Sequence, residues 1–547
     1  MASTPNAAAT VASARHSHLS HPVQAQNGQG RPKRPHDANG NSKPWKQKKT
    51  KREKNITEGS SEEVLRRDIE ALLASRGFTT DPEETSGTTQ ESGLLPEQGT
   101  ETEVEVLELS STGDGLAMRS GSNQVYVVPF TVPGDVAKVK VFRHIPREHQ
   151  TVADFISIVK PSSLRDDARI QCKRRVLEKA YRNFSNLPSE LVPAIQDTIG
   201  SPLQYGYRTK LTPHFDGPPG FRPSKRKAAK VSFESCPDIG FMQKGKRKVL
   251  DIEDCPIGTS AVRLGMARER ERMQSEFRNY HRGATILLRE NTHRYPKDSQ
   301  DGDQPPKEDA LPPYTARTEG DDFIDIKTCE TDSKATTTEF IGNHTFTNPA
   351  GSFFQNNNSI LPKFTAYVRE HILPPPSNSP IRYLIDAYSG SGLFTITLSS
   401  VFQHSTGIDI AADSIASARN NASLNGLGED RCQFIAADAG ELFKSVTYPA
   451  DETVVVLDPP RKGCDADFLG QLRTFGPKRI LYVSCNVHTQ ARDVGILVRA
   501  EGDGARYDIE SLVGFDFFPQ TGHVEGVAIL NRCDQPTTEN GGTEKDP

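Results

Sequence analysis

The chain has 547 residues, 67 Lys and Arg against 71 Asp and Glu, a net charge of -4 and a pI near 6.4. That length suits about two to four domains, and a near-balanced total charge says nothing by itself about nucleic acid. No apolar run approaches the roughly 20 residues of a membrane span, so no membrane partner is expected.

Charge distribution is more informative than the total. Residues 1–60 carry eleven Lys or Arg against three acids, with a dense run from Lys43 to Lys54. Such an arm suits RNA binding or nuclear import, and equally a solvated tail. Residues 1–95 are polar and poor in aromatics and read as a disordered basic arm, with one short helical stretch at Glu62–Ser75. The eight cysteines follow no framework of paired spacings, and no N-terminal hydrophobic segment resembles a signal peptide. The chain is therefore expected to be soluble and intracellular, nuclear or cytoplasmic, with reduced thiols. The first thirty residues, rich in Ala, Ser and His, hold Arg15 and no acid, a weak signal for a mitochondrial pool.

From Glu101 short β-branched runs alternate with Gly and Pro turns: Val104 and Val106, Gly113–Gly115, Val125–Phe130, Pro133–Asp135 and Val136–Phe142. This pattern predicts a small barrel over 96–160. Its order of parts resembles a TRAM domain, an OB-like RNA-binding module. Residues 161–340 read as a mixed α+β central domain. Within it, Tyr207–Leu211 reads as a strand with Arg208 and Lys210 on one face, a candidate RNA contact. Lys225–Lys230 and Lys244–Lys248 add positive charge, and a polar insertion is expected near 293–322.

Over 341–534, apolar strand-like runs (Tyr383–Ile385, Ser405–Ile408, Val454–Leu457, Ile480–Val483) alternate with helical stretches such as Asp413–Leu424. That alternation predicts an α/β domain with a mostly parallel, Rossmann-like sheet. Residues 535–547 read as a disordered tail.

The loop Asp386-Ala-Tyr-Ser-Gly390-Ser-Gly392 follows the first strand and opens a helix. Its glycines let backbone approach a ligand, and the helix N-terminus favours a carboxylate. The second strand ends at Asp409, about twenty residues on, where a carboxylate can accept both ribose hydroxyls. Asp409 could equally cap the helix that follows. S-adenosylmethionine fits this loop, because it has a free carboxylate and no phosphate, and the loop has no phosphate-binding Lys or Thr.

Two further sites bear on the reaction. Asp458-Pro-Pro-Arg461 follows the run Val454–Leu457, with Arg461 where amine methyltransferases place an aromatic. Cys485 ends the next strand, at the edge where ligands bind in open α/β sheets. In a strand a cysteine is more often a small buried apolar residue. The third element, Phe517–Glu525, supplies a carboxylate in an apolar neighbourhood. Carbon 5 of uracil becomes nucleophilic once a thiolate adds to carbon 6, and a base must then remove its proton. One cysteine and one carboxylate are needed, and Cys485 and Glu525 are available. Cytosine carbon-5 enzymes acting on RNA generally carry a second cysteine in the Asp-Pro-Pro region, which this chain lacks. No acidic cluster with metal-ligand character appears, so no metal is expected.

Together Gly351-Ser-Phe-Phe-Gln355, Asp386–Gly392, Asp458–Arg461, Ser484-Cys-Asn486 and His523-Val-Glu525 resemble the motifs of the tRNA and rRNA (uracil-5-)-methyltransferases. The resemblance runs from about Glu101 to Arg532 and is nearest to the fungal branch acting on uridine 54 of tRNA. It implies S-adenosylmethionine contacts at Gln355, Tyr388, Asp409 and Asp458, Cys485 as nucleophile, Glu525 as proton acceptor, tRNA as partner and a monomer. Gln355 is carried by the resemblance alone. Bacterial rRNA relatives hold an iron–sulfur cluster through four cysteines. Here Cys172 stands alone before Lys173-Arg-Arg and no Cys-x-x-Cys exists, which argues against a cluster. Asp409 is commonly Glu in relatives. The competing readings are an rRNA target, or a non-catalytic RNA-binding or tRNA-folding factor.

Overall fold

The structure, a computed structural model, describes residues 59–78, 95–164, 168–219, 231–243, 248–297, 304–374, 381–437, 443, 446–500 and 502–533. The basic run Lys43–Lys54, most of the lysines between 225 and 248, and the tail lie outside the described residues. No helix among the described residues is long and apolar enough to cross a membrane.

The strands Glu101–Leu109, Gly115–Met118, Val125–Val128, Val136–Ile145 and Gln150–Lys160 close into a barrel, ordered first, second, third, fifth, fourth. Side chains alternate across each strand, so Val104, Val106, Ala137, Val139 and Val141 converge on one interior. The helix Ser61–Ser75 is not an isolated turn in a polar arm, as the sequence suggested. Its N-terminus is a reciprocal cap: Ser60 Oγ accepts from Glu63 N, and Glu63 Oε2 accepts from Gly59 N at 2.9 Å. Ile69, Leu72 and Leu73 pack on Leu116, Met118, Val125 and Val127, the second apolar face of the barrel strands. Buried Asp68 accepts from Ser111 N at 2.6 Å, tying helix to barrel.

The central region forms two four-stranded sheets around Leu211, Phe215, Val262, Met266, Leu288 and Cys329, with the helix Ser260–Glu276 against them. The expected insertion is narrower than 293–322. His293–Pro296 continue the strand Leu288–Pro296, and Ala316–Glu319 form an edge strand against Phe323–Glu330. Alternating Thr292, Arg294 and their partners across Phe323–Glu330 hold this polar stretch in the sheet. The stretch Tyr207–Leu211 is likewise shorter as a strand, with only Lys210 and Leu211 in the ladder and Arg208 in isolated bridges to Gly258 and Asn357.

The C-terminal sheet has seven strands, ordered Cys432–Ala436, His404–Asp409, Tyr383–Ala387, Thr453–Leu457, Arg479–Ser484, Glu525–Arg532, Tyr507–Phe515. The first five are parallel, Glu525–Arg532 runs opposite to them, and Tyr507–Phe515, antiparallel to it, runs with the first five. Thr453–Leu457 is buried at every position because helices cover both faces of a parallel sheet, which explains its unbroken apolar run. The helix Ala168–Phe184, assigned from sequence to the central domain, belongs to this core. Its Val176, Leu177, Ala180 and Tyr181 pack with Val487, Ala491 and Val494 of the helix Val487–Arg499.

If the N-terminal helix is integral, Leu72→Ala removes a buried side chain and costs about 2–5 kcal/mol in chemical denaturation of the full chain. Unchanged stability would mean that the helix is dispensable.

Candidate active site

Strand register brings the motifs together. Asp386 pairs in register with Gly407 and Val456, and Ala387 with Ile408 and Leu457. The next residue of each strand direction, Tyr388, Asp409 and Asp458, therefore lies at one edge of the sheet. Ser484 pairs with Gly526 in the antiparallel ladder, so Cys485, leaving one strand, lies beside Glu525, entering the other. Forty positions of sequence separate them, and one rung of the ladder joins them.

The cofactor loop turns sharply. Tyr388 has φ 64° and Gly390 φ 55°, left-handed conformations that cost a tyrosine of order 1 kcal/mol or more. Tyr388 is held by its ring against Phe468 and by its hydroxyl beside the Cys464 thiol. Cys464 in turn meets the Tyr482 hydroxyl, and its backbone N–H donates to Asp493 Oδ2 at 2.8 Å. Cys464 is thus part of the scaffold beneath Tyr388. Asp409 accepts from Gly390 N at 3.0 Å through one oxygen and from Ala411 N at 2.8 Å through the other. It holds the cofactor loop through Gly390 and the following turn through Ala411, which fixes the carboxylate at the strand end.

Gln355 sits in the coil after the hairpin Thr336–Pro349, flanked by a set of fixed groups. Lys210 Nζ donates to Gly351 O at 2.8 Å and Ser352 O at 2.9 Å. Asn357 Nδ2 donates to Ser201 Oγ and Phe517 O, each at 3.1 Å. Lys210 therefore braces the Gln355 loop, with its pKa lowered by burial and by Arg289. Arg208 Nε donates to Lys210 O at 3.1 Å. Neither residue was expected from sequence to meet the Gln355 loop, which Lys210 reaches through its ammonium and Arg208 through a backbone bridge to Asn357.

The electrostatics are dominated by carboxyls taken out of water. Glu525 is 1% exposed, and neither of its carboxylate oxygens has a hydrogen-bond partner. Burial and Asp458 push its pKa far above the carboxylate range, and Arg461 pulls the other way. Burial and Asp386 push Asp458 up to about 7. Burial also raises Asp386 to about 7, against hydrogen bonds from Thr395 N and Oγ1. The Cys485 thiol is pushed up to about 12 by burial and by Glu525 and Asp458, with Arg461 opposing. Arg461 is thus the cation facing both reactive groups. Sequence reasoning treated it only as a missing aromatic, although its place directly after Asp-Pro-Pro was a readable signal. Asp386 was also missed as a site group, and its signal was an acid at a strand end before a glycine loop.

The site fits S-adenosylmethionine on this chain's own features. Asp386 Oδ1 and Ser389 Oγ are buried without a hydrogen-bond partner, and a Cβ at Gly390 would meet only open space. A ligand with amino and hydroxyl donors satisfies such acceptors. Among the described residues no group of three or more His, Cys, Asp or Glu could hold a metal ion.

Comparison with known proteins agrees with this architecture. The family model for tRNA (uracil-5-)-methyltransferase matches residues 341–533, and that for the TRAM domain matches residues 96–145. A tRNA (uracil(54)-C(5))-methyltransferase of Schizosaccharomyces pombe is 40% identical, over 90% of this chain and 87% of its own. That of Saccharomyces cerevisiae is 39% identical, over 78% of this chain and 73% of its own. The crystal structure of a Pyrococcus abyssi tRNA (uracil-54, C5)-methyltransferase with S-adenosyl-L-homocysteine shares the fold. Its TM-score is 0.53 at 23% identity, covering 78% of this chain and all of that one.

Carboxyls with raised pKa values bind more protons in the folded state than in the unfolded one. Their contribution to stability is full below the ordinary carboxylate range and is lost as pH rises through about 7. The melting temperature of the cofactor-free protein should therefore fall between about pH 5 and about pH 8, and Asp386→Asn should flatten that slope. A rising or flat wild-type profile would show that these carboxyls stay ionised.

Proposed function

The chain belongs to the tRNA (uracil-5-)-methyltransferase family, and on that premise we propose that it methylates carbon 5 of uridine 54 in tRNA from S-adenosylmethionine. The observation that carries the chemistry is the pairing of Cys485 with Glu525 across the Ser484–Gly526 rung, beside Asp458.

Gln355, Tyr388, Asp409 and Asp458 are the residues to hold the cofactor, with Asp386 and Ser389 as further acceptors. When bound, S-adenosylmethionine supplies the electrophilic methyl group that an activated carbon 5 takes up. Cys485 does the activating. Its sulfur bonds to carbon 6 of the uracil, and the electrons of the carbon 5–carbon 6 double bond shift to make an enolate. The thiol's proton passes to solvent water as this bond forms, and the Arg461 guanidinium favours the developing thiolate.

Methylated carbon 5 still carries its original proton. The Glu525 carboxylate removes it, the carbon–hydrogen electrons rebuild the double bond, and the Cys485 sulfur leaves. Burial that raises the pKa of Glu525 makes its ionised form a stronger base, and the Arg461 guanidinium lowers the cost of that ionised form. The TRAM barrel provides an RNA-binding module, and contacts to phosphate make affinity fall steeply with salt. A base reached in this way must be flipped from its stack into the pocket between Cys485 and Asp458.

Incubating tRNA transcripts with the protein and S-adenosylmethionine should yield 5-methyluridine at position 54, and none when that uridine is replaced. Methylation of ribosomal fragments alone would overturn the substrate. Cys485→Ala should abolish turnover, with the cofactor still bound in calorimetry. Glu525→Gln should form the carbon 6 adduct and methylate, then stall as a protein–RNA complex that survives denaturing gels. Normal turnover by either variant contradicts the assigned role.

A further inference from the structure

The loop 516–524, which delivers Glu525, is tied to every other part of the fold. Its Phe517 carbonyl accepts from Asn357 Nδ2 at 3.1 Å, next to the Gln355 loop. Its Pro519 carbonyl accepts from the Tyr207 hydroxyl at 2.9 Å, on the central region. Gly522 lies against Gly113 of the barrel so closely that a Cβ there would come within 2.5 Å of the Gly113 backbone. At the middle of the loop is a buried cation. Lys173 Nζ donates to Asp516 Oδ1, to Phe518 O at 2.9 Å and to His523 O at 2.7 Å. An ammonium has three N–H donors, and these three acceptors lie at the start, the middle and the end of one loop.

The other end of this tie is a helix packed against the one that follows Cys485. Lys173 projects from the helix Ala168–Phe184, whose Leu177, Ala180 and Tyr181 pack into the core with Val487, Ala491 and Val494. Phe184 also meets His488 edge to face, with ring centroids 5.3 Å apart. That second helix begins two residues after Cys485. Lys173 thus joins a helix packed against the one that follows Cys485 to the carbonyl of His523, two residues before Glu525. Both Lys173 and Asp516 are buried, with side-chain exposure of 2% and 0%. Removing a buried pair's charge on one side leaves the other uncompensated, so the loop has no cheap alternative position.

The geometry points to Lys173 as a positioning residue for Glu525: it fixes the loop that aims this carboxylate at the proton on carbon 5. The inference rests on Glu525 being the base. Placement errors of about 1 Å can cost on the order of 100-fold in rate, so loosening the loop should slow proton removal selectively. Steps made by Cys485 and the cofactor loop should remain.

The test uses the full chain with Lys173→Met and, to avoid stranding a buried charge, the double variant Lys173→Met with Asp516→Asn. Cofactor binding by calorimetry, kcat and KM for tRNA, and the covalent protein–RNA complex on denaturing gels are measured beside Glu525→Gln. The double variant should bind S-adenosylmethionine and keep the wild-type KM. Its kcat should fall by about 10- to 100-fold, and the covalent complex should accumulate. An unchanged kcat, or a loss of activity without accumulated complex, overturns the positioning role. If Glu525→Gln accumulates complex and the lysine variants do not, only the lysine assignment falls. If Glu525→Gln accumulates none, the base assignment fails and this inference with it.

Discussion

One rung of an antiparallel ladder, Ser484 against Gly526, decides what this site can do. A parallel strand in that position would carry its N-terminal end to the far edge of the sheet, about five residues or 16 Å away. Reversal of this one strand instead places the start of Glu525–Arg532 at the edge where Asp386, Asp409, Asp458 and Cys485 also emerge. Cys485 and Glu525 are thus held side by side by the backbone hydrogen bonds of the ladder.

That placement has an electrostatic cost. Three carboxyls and a thiol share a region with little water, and the carboxyls raise the pKa of their neighbours: Asp386 acts on Asp458, Asp458 on Glu525, and both Asp458 and Glu525 on Cys485. Burying such groups without partners is unfavourable for folding. It also prepares acids and bases whose strengths are shifted toward their tasks, as active sites commonly do. Arg461 is the counter-charge to both reactive groups. The surrounding fold supplies rigidity where the site supplies none, through the Lys173 tie, the Asn357 bridge and the bracing of the Gln355 loop by Lys210.

Much of this was legible in the sequence, and the illegible part has a common cause. Thr453–Leu457 and Arg479–Ser484 read as strands because double-sided burial leaves unbroken apolar runs, and the residues ending them could be named as site candidates. The barrel was readable from alternation and turn residues. The helix Ser61–Ser75 was visible as a helix, but its packing was not, since it buries Ile69, Leu72 and Leu73 on a barrel face that no local pattern announces. Lys210 read as a strand cation for RNA and Lys173 only as the residue after a lone cysteine, and only tertiary structure brings carbonyls to their ammonium groups. The adjacency of Cys485 and Glu525 is a matter of register, which no single segment encodes.

The most direct measurement replaces the departing proton. A tRNA containing 5-fluorouracil at position 54 offers a carbon 5 from which a carboxylate cannot remove the substituent, so a covalent intermediate should be trapped. Digestion of the trapped complex and mass spectrometry of the linked peptide should place the modified nucleotide on Cys485, with the transferred methyl group retained on carbon 5. A link at any other cysteine, or no link under conditions where unmodified tRNA is methylated, would contradict the account.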